Sequence, residues 1–178
     1  KEGEIANYLI NLLESWGLEV TTDQAGDAID GETGNIIAKL PGNQEAPTLM
    51  FCAHLDTVIP GENVEPIIKD GVIYSKGDTV LGSDDKAGIT AILGMLKRIK
   101  EEDIPHGDIE VVFTIAEEIG LLGAKNLNYD LLDADLGIIY DSGGPVGTIV
   151  TKAPAQDQIN VKVYGKSAHA GLNPSNGV

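Results

Sequence analysis

Cysteine occurs once in this sequence, at position 52, so no disulfide can form within the chain. Cys52 lies inside an apolar run and reads as a small buried strand residue, not as a nucleophile. Cations are scarce: 12 Lys and Arg stand against 28 Asp and Glu, a formal net charge of −16. That balance argues against nucleic-acid or anionic-membrane binding, because nothing here would neutralise phosphates. It also disfavours a phosphoesterase, which needs clustered Arg or Lys to hold its substrate. Aromatic residues make up only 4% against 42% hydrophobic residues overall, so the core is mostly aliphatic. No signal-peptide pattern or apolar run of membrane-spanning length occurs, and a cytoplasmic protein is the expectation.

What the sequence does contain is apolar runs that stop on metal-binding side chains. Residues 48–53 lead into His54-Leu55-Asp56, residues 109–116 into Glu117-Glu118, and residues 136–140 into Asp141. Between the first two, Gly82-Ser83-Asp84-Asp85-Lys86 opens a long helical pattern carrying Ile89, Ile92, Leu93, Leu96 and Ile99. In an open α/β sheet, residues just past the carboxyl ends of strands share one crevice. One histidine and several carboxylates gathered there suit a hard-cation or zinc site, with room for two ions.

The rest of the chain supports that architecture. Ile5, Leu9, Leu12, Leu13 and Trp16 recur at helical spacing, and Gly17 marks a helix stop. Residues 18–22 and 35–40 read as strands joined by a polar loop. Residues 60–79 read as irregular, with a short strand at 72–74. Residues 121–128 read as a short helix. Strand and helix alternate, which predicts an α/β fold: a mainly parallel sheet with helices on both faces. After Asp141 the pattern changes to a glycine-rich turn, and residues 158–164 alternate as a half-exposed strand. The domain division expected is 1–152 and 153–178, the second part beginning an α+β domain.

His54 and Asp56 lie two apart and face one side of an extended chain. A ligating imidazole needs its other ring nitrogen held, and Asp56 is close enough to hold His54 or a nearby group. Asp84 or Asp85 can cap the helix, but one acid suffices for capping, which frees the other as a ligand that could bridge two ions. Glu117 and Glu118 diverge from a strand end, so one can bind metal while the other faces substrate and moves a proton. Asp133 and Asp135 precede their strand, at its opposite end, and read as surface residues.

These motifs resemble the peptidase T-like branch of the zinc exopeptidases. The quoted residues are His54-Leu55-Asp56, Gly82-Ser83-Asp84-Asp85-Lys86-Ala87-Gly88, Glu117-Glu118-Ile119-Gly120 and Tyr140-Asp141-Ser142-Gly143-Gly144. That family also holds carboxypeptidase G, acyl-amino-acid amidohydrolases and succinyl-diaminopimelate desuccinylase. Gly165-Lys166-Ser167-Ala168-His169-Ala170-Gly171 resembles the opening of the family's lid domain. The resemblance implies that His54, Asp84 and Asp141 hold one metal, and that Asp84 and Glu118 hold a second. It implies Glu117 as general base, Asp56 as the residue that orients His54, and His169 as an oxyanion-stabilising group reaching a partner subunit's site.

It implies, further, two divalent ions, most often zinc, with cobalt or manganese as alternatives. The remaining second-metal histidine is expected beyond Val178, so the chain reads as a fragment. The activity expected is removal of the N-terminal residue from short peptides by metal-bridged water. The alternatives are an amidohydrolase of small N-acyl amino acids and a non-catalytic metal-binding relative. The expected partners are a short peptide and a second copy of the protein, paired through the lid.

Overall fold

Ala6, Leu9 and Leu13 fall on one buried face of the first helix, α1 (Gly3–Ser15). Gly17, at φ 82°, lets the chain turn away from it into β1 (Glu19–Thr22). A 3-10 turn over Ala25–Ala28 interrupts the loop before β2 (Ile36–Leu40) and β3 (Leu49–His54).

The next segment corrects the sequence reading. Residues 60–79 contain a complete antiparallel hairpin, β4 (Pro66–Lys69) and β5 (Val72–Ser75), standing as a separate two-stranded sheet. Asp70 and Gly71 form its turn at φ 52° and 78°. Two consecutive positive φ values are what a tight hairpin turn requires, and Asp-Gly supplies them cheaply.

Helix α2 (Ser83–Glu102) follows, then β6 (Ile109–Thr114), the short helix α3 (Leu122–Lys125) and β7 (Leu136–Ile139). The helix expected over 121–128 is therefore shorter. Asn128 instead starts a 3-10 turn, Tyr129–Leu131, its side chain accepting the Asp130 N–H at 3.2 Å. The structure, a computed structural model, describes all residues except 1, 156–158, 163, 170 and 178.

Five strands form one mixed sheet in the order β1-β2-β6-β3-β7. β2 runs antiparallel to β1 and β6, whereas β3 runs parallel to both β6 and β7. Opposed pairs such as Ile36 with Phe113, Ala38 with Val111, and Ala53 with Phe113 share a face. That face joins α1 and α2, through Leu9, Leu13, Ile89, Ile92 and Leu96, in one aliphatic core. β6 is buried along its whole length, so its uniformly apolar character follows from its central place. The exceptions are Thr114 and, more sharply, Glu110. Its carboxylate, nearly inaccessible, is held by Lys39 Nζ at 3.0 Å and by the Asp133 N–H at 2.9 Å.

The parallel trio β6, β3 and β7 positions the site. Because their carboxyl ends lie side by side, Glu117, His54 and Asp141 emerge on one edge of the sheet. Asp133 and Asp135 lie at the other end, where Asp135 accepts the Thr48 N–H at 2.9 Å.

Contacts divide the chain into Lys1–Gly143 and Gly144–Val178. Within the second unit, a 3-10 turn covers Pro174–Asn176 and Lys162 Nζ lies 5.0 Å from the centre of the Tyr164 ring. The strand expected at 158–164 includes residues 158 and 163, which lie outside the described set. Among the described residues of that stretch none is in a strand, and Ile159, Val161 and Tyr164 are exposed. No helix among the described residues is long and apolar enough to cross a membrane.

Candidate metal centre

His54 ends β3 and is buried, with 3% of its surface accessible. Its Nδ1 faces the main-chain oxygen of Asp56 at 3.0 Å, and the Asp56 carboxylate lies 3.4 Å away. Its Nε2 faces Asp84 Oδ1 at 3.0 Å. Burial alone would lower the pKa of this ring, but the hydrogen bonds to Asp56 and Asp84 outweigh it and raise the pKa to about 9. The imidazole and the Asp84 carboxylate lie at the distance of a charge-assisted hydrogen bond.

Asp84 and Asp85 divide two tasks. Helical geometry in α2 is broken at both, with ψ 106° at Asp84 and 38° at Asp85. Asp85 turns inward, is 4% exposed, and accepts the Gly88 N–H at 3.1 Å through Oδ1. That is an N-cap for the continuous part of the helix. Asp84 is left pointing outward, its side chain 71% exposed, beside His54. Burial, chiefly, raises the pKa of Asp85 to about 6, with Asp141 adding to it.

Asp56 reaches across to the neighbouring strand. Its Oδ1 accepts the Glu117 N–H at 2.9 Å and its Oδ2 accepts the Glu118 N–H at 3.0 Å. Burial opposes ionisation of this carboxyl, but the contacts with His54 and with these two amides hold its pKa down at about 2. Glu117 and Glu118 are half-buried. Burial, first, and the neighbouring acids raise the pKa of Glu117, while His54 partly offsets them.

Two donor groups result. His54, Asp84 and Asp141 each offer a ligand atom within 4.8 Å of the others, and so do His54, Glu117 and Glu118. The structure thus brings His54, Asp84, Glu117, Glu118 and Asp141 to one place. His169 belongs to the second unit, where its Nδ1 accepts the Gly171 N–H at 3.1 Å. His106 sits in its Pro-His-Gly turn with Nδ1 2.7 Å from the Gly107 oxygen, in neither donor group.

Two supporting residues carry no role in the sequence reading. Lys86 Nζ donates to the Leu55 carbonyl at 2.7 Å. Glu2 Oε1 accepts the Ala116 N–H at 3.2 Å, just before the acid pair and at a residue with φ 51°. Lys86 was visible as part of the Asp-Asp-Lys motif, whereas nothing near Glu2 marks it. Cys52 is half-buried, and burial pushes its thiol up to about 12, so it stays neutral.

The model of Peptidase family M28 matches residues 35–173. The chain belongs to peptidase family M28. The peptidase T-like resemblance is borne out by this M28 chain's relatives. It is 40% identical to the uncharacterized protein YqjE of Bacillus subtilis (strain 168), covering 99% of this chain and 48% of that protein. Among solved structures, aminopeptidase PepT from Bacillus cereus ATCC 10987 is similar, with a TM-score of 0.83 and 38% identity. That match covers 99% of this chain and 48% of the other. A tripeptidase from Staphylococcus aureus has a TM-score of 0.78 and 46% identity, covering 80% of this chain and 39% of its own. The M28 chain spans about half the length of the curated relatives it matches.

Proposed function

We propose that this chain carries the metal-binding part of a two-metal aminopeptidase that removes the N-terminal residue from short peptides, tripeptides in particular. The observation that carries the reading is the pair of donor groups centred on buried His54. Zinc takes nitrogen and carboxylate oxygen at about 2.0–2.2 Å, which puts neighbouring ligand atoms about 3–4 Å apart. Donors already gathered within 4.8 Å fit that demand. The mix of imidazole and carboxylates also fits cobalt or manganese.

The first of these groups, His54, Asp84 and Asp141, would hold one ion; the second ion would be held by Asp84 and Glu118, which line one pocket, with Glu117 of the second group left to move the proton. When bound, the ions would polarise the scissile carbonyl and acidify the attacking water. Glu117 would take the proton from that water and return it to the leaving amine, a task that favours a carboxyl with a raised pKa. Asp56 would hold His54 in its working tautomer by way of Nδ1. Relatives whose names specify a tripeptidase and an aminopeptidase support the substrate class. Residues 153–178 would begin a lid domain through which two copies pair, bringing His169 to the partner subunit's site.

The test is Glu117→Gln in the intact enzyme, assayed on tripeptides and on N-acyl amino acids. Metal content near that of the parent with turnover reduced at least 100-fold on tripeptides supports the reading. Full activity in the variant, or a parent enzyme that cleaves only N-acyl amino acids, overturns it.

A further inference from the structure

The loop that carries His54 and Asp56 and the helix entrance that carries Asp84 come from different elements, 30 residues apart. Besides the His54 contact itself, Lys86 Nζ joins them by donating to the Leu55 carbonyl at 2.7 Å. Leu55 lies between His54 and Asp56, is 1% exposed, and donates its own N–H to the Thr114 oxygen at 2.8 Å. The Leu55 backbone is therefore gripped on both sides, by β6 through the N–H and by α2 through the carbonyl. The lysine is half-buried. Burial, chiefly, lowers its pKa, and the acids Asp56, Asp85, Glu2 and Asp84 oppose that loss of charge.

We infer that Lys86 is a positioning residue which, by anchoring the Leu55 carbonyl to the first turn of α2, sets His54 against Asp84 before a metal arrives. This rests on the two-metal reading given above. The stem of Lys86 spans the gap, and its ammonium donates to a neutral carbonyl without spending a carboxylate needed elsewhere. Such an arrangement limits reorganisation on metal uptake, because two donors from separate elements already face each other.

Charge and position make opposite forecasts. As a mere charge, Lys86 repels a dication, so its removal would tighten metal binding. As a positioning residue it must weaken binding when removed, by the roughly 10–100-fold seen when groups supporting metal ligands are lost. The experiment uses the whole chain, stripped of metal, with zinc affinity measured by chelator competition for the parent, Lys86→Met and Lys86→Arg. The expected result is a loss of about 10-fold or more in Lys86→Met. Lys86→Arg, which keeps a charged donor, should restore most of it.

The cobalt-loaded Lys86→Met chain should also show altered visible absorption, reporting changed ligand geometry. Equal or tighter zinc binding by Lys86→Met, with an unchanged cobalt spectrum, overturns the inference. Should Lys86→Met not fold, Lys86→Leu, which also has no donor, is titrated in its place, and zinc binding equal to the parent's overturns the inference just as well. A parent chain that takes up no zinc would instead sink the metal-centre reading itself.

Discussion

The Asp56 carboxylate accepts the main-chain N–H of Glu117 at 2.9 Å, tying together strand ends that lie 61 residues apart in the chain. Its second oxygen does the same for Glu118 at 3.0 Å. One side chain thus sets both acids at the end of β6 relative to the histidine at the end of β3.

Replacing Asp56 by Asn tests that tie. The amide keeps one acceptor but turns an NH2 donor toward a main-chain N–H, leaving at least one buried donor without a partner. Such a loss costs about 1–3 kcal/mol. The expected outcome is a lower urea midpoint together with a fall in kcat of the intact enzyme larger than the fall in metal content. Metal content is read by atomic absorption.

The charge of Asp56 makes a pH forecast as well. Its pKa is about 2 in the folded chain against an ordinary 3.8, so the folded state binds this proton less well. Its contribution to stability is therefore complete above pH 3.8 and is lost as pH falls through 2. Acid unfolding followed by circular dichroism should show a smaller acid sensitivity for Asp56→Asn in that window.

His54 behaves in the opposite sense. Its pKa in the metal-free chain is raised to about 9 from 6.5, so protonation favours the folded state. The corresponding stability is fully present below pH 6.5 and disappears as pH rises through 9. A metal must displace that proton. Zinc uptake at pH 7 should therefore release close to one proton per chain from this site, and the apparent affinity should climb toward pH 9. Calorimetry in two buffers of different ionisation enthalpy measures the proton count.

Asp85 separates capping from charge. Asp85→Ala removes the bond to the Gly88 N–H and should cost about 0.5–2 kcal/mol. Asp85→Asn keeps an acceptor for that N–H. Because the Asp85 pKa is raised to about 6, its favourable contribution is present below pH 3.8 and lost as pH rises through 6. The Asn variant, lacking a buried charge, should therefore gain on the parent between pH 5 and pH 8 in paired urea melts.

Gly88 marks a close approach of α2 to Tyr140, just past the end of β7. A Cβ there would lie 2.7 Å from Tyr140 Cβ and would collide with the Asp85 carboxylate. Gly88→Ala should destabilise by about 1–3 kcal/mol. It should also weaken zinc binding, since Asp141 follows Tyr140 directly; a thermal melt with and without zinc reads both effects.

Much of this was legible in the residue pattern, and the exceptions have identifiable causes. The apolar runs leading to His54, Glu117 and Asp141 became β3, β6 and β7 within a residue or two; continuous apolarity matches burial in β6 and the end of β3, whereas β7 is an exposed edge strand. Of the β4–β5 hairpin the residue pattern indicates only the second strand, at 72–74, and not its partner β4, although the Asp70-Gly71 turn lies between them. Ile67, Ile68, Ile73 and Tyr74 are exposed there, so no clean alternation between a wet and a dry face announces the pairing. At Asp84-Asp85, composition indicated a cap and a ligand without saying which acid did which. Only the backbone path, which sends Asp85 inward to Gly88, decides it.

The amino-acid order alone determined the kinds of groups available and their places at strand ends, because hydrophobic periodicity and side-chain chemistry are local properties. Only the tertiary structure decided that β6 lies between β2 and β3. The same is true of the Asp56 carboxylate gripping two distant amides and of Lys86 holding the peptide beside His54. Those contacts join residues 31 to 62 positions apart. Such pairings depend on the summed packing of the whole sheet and helices, which no single stretch of chain encodes.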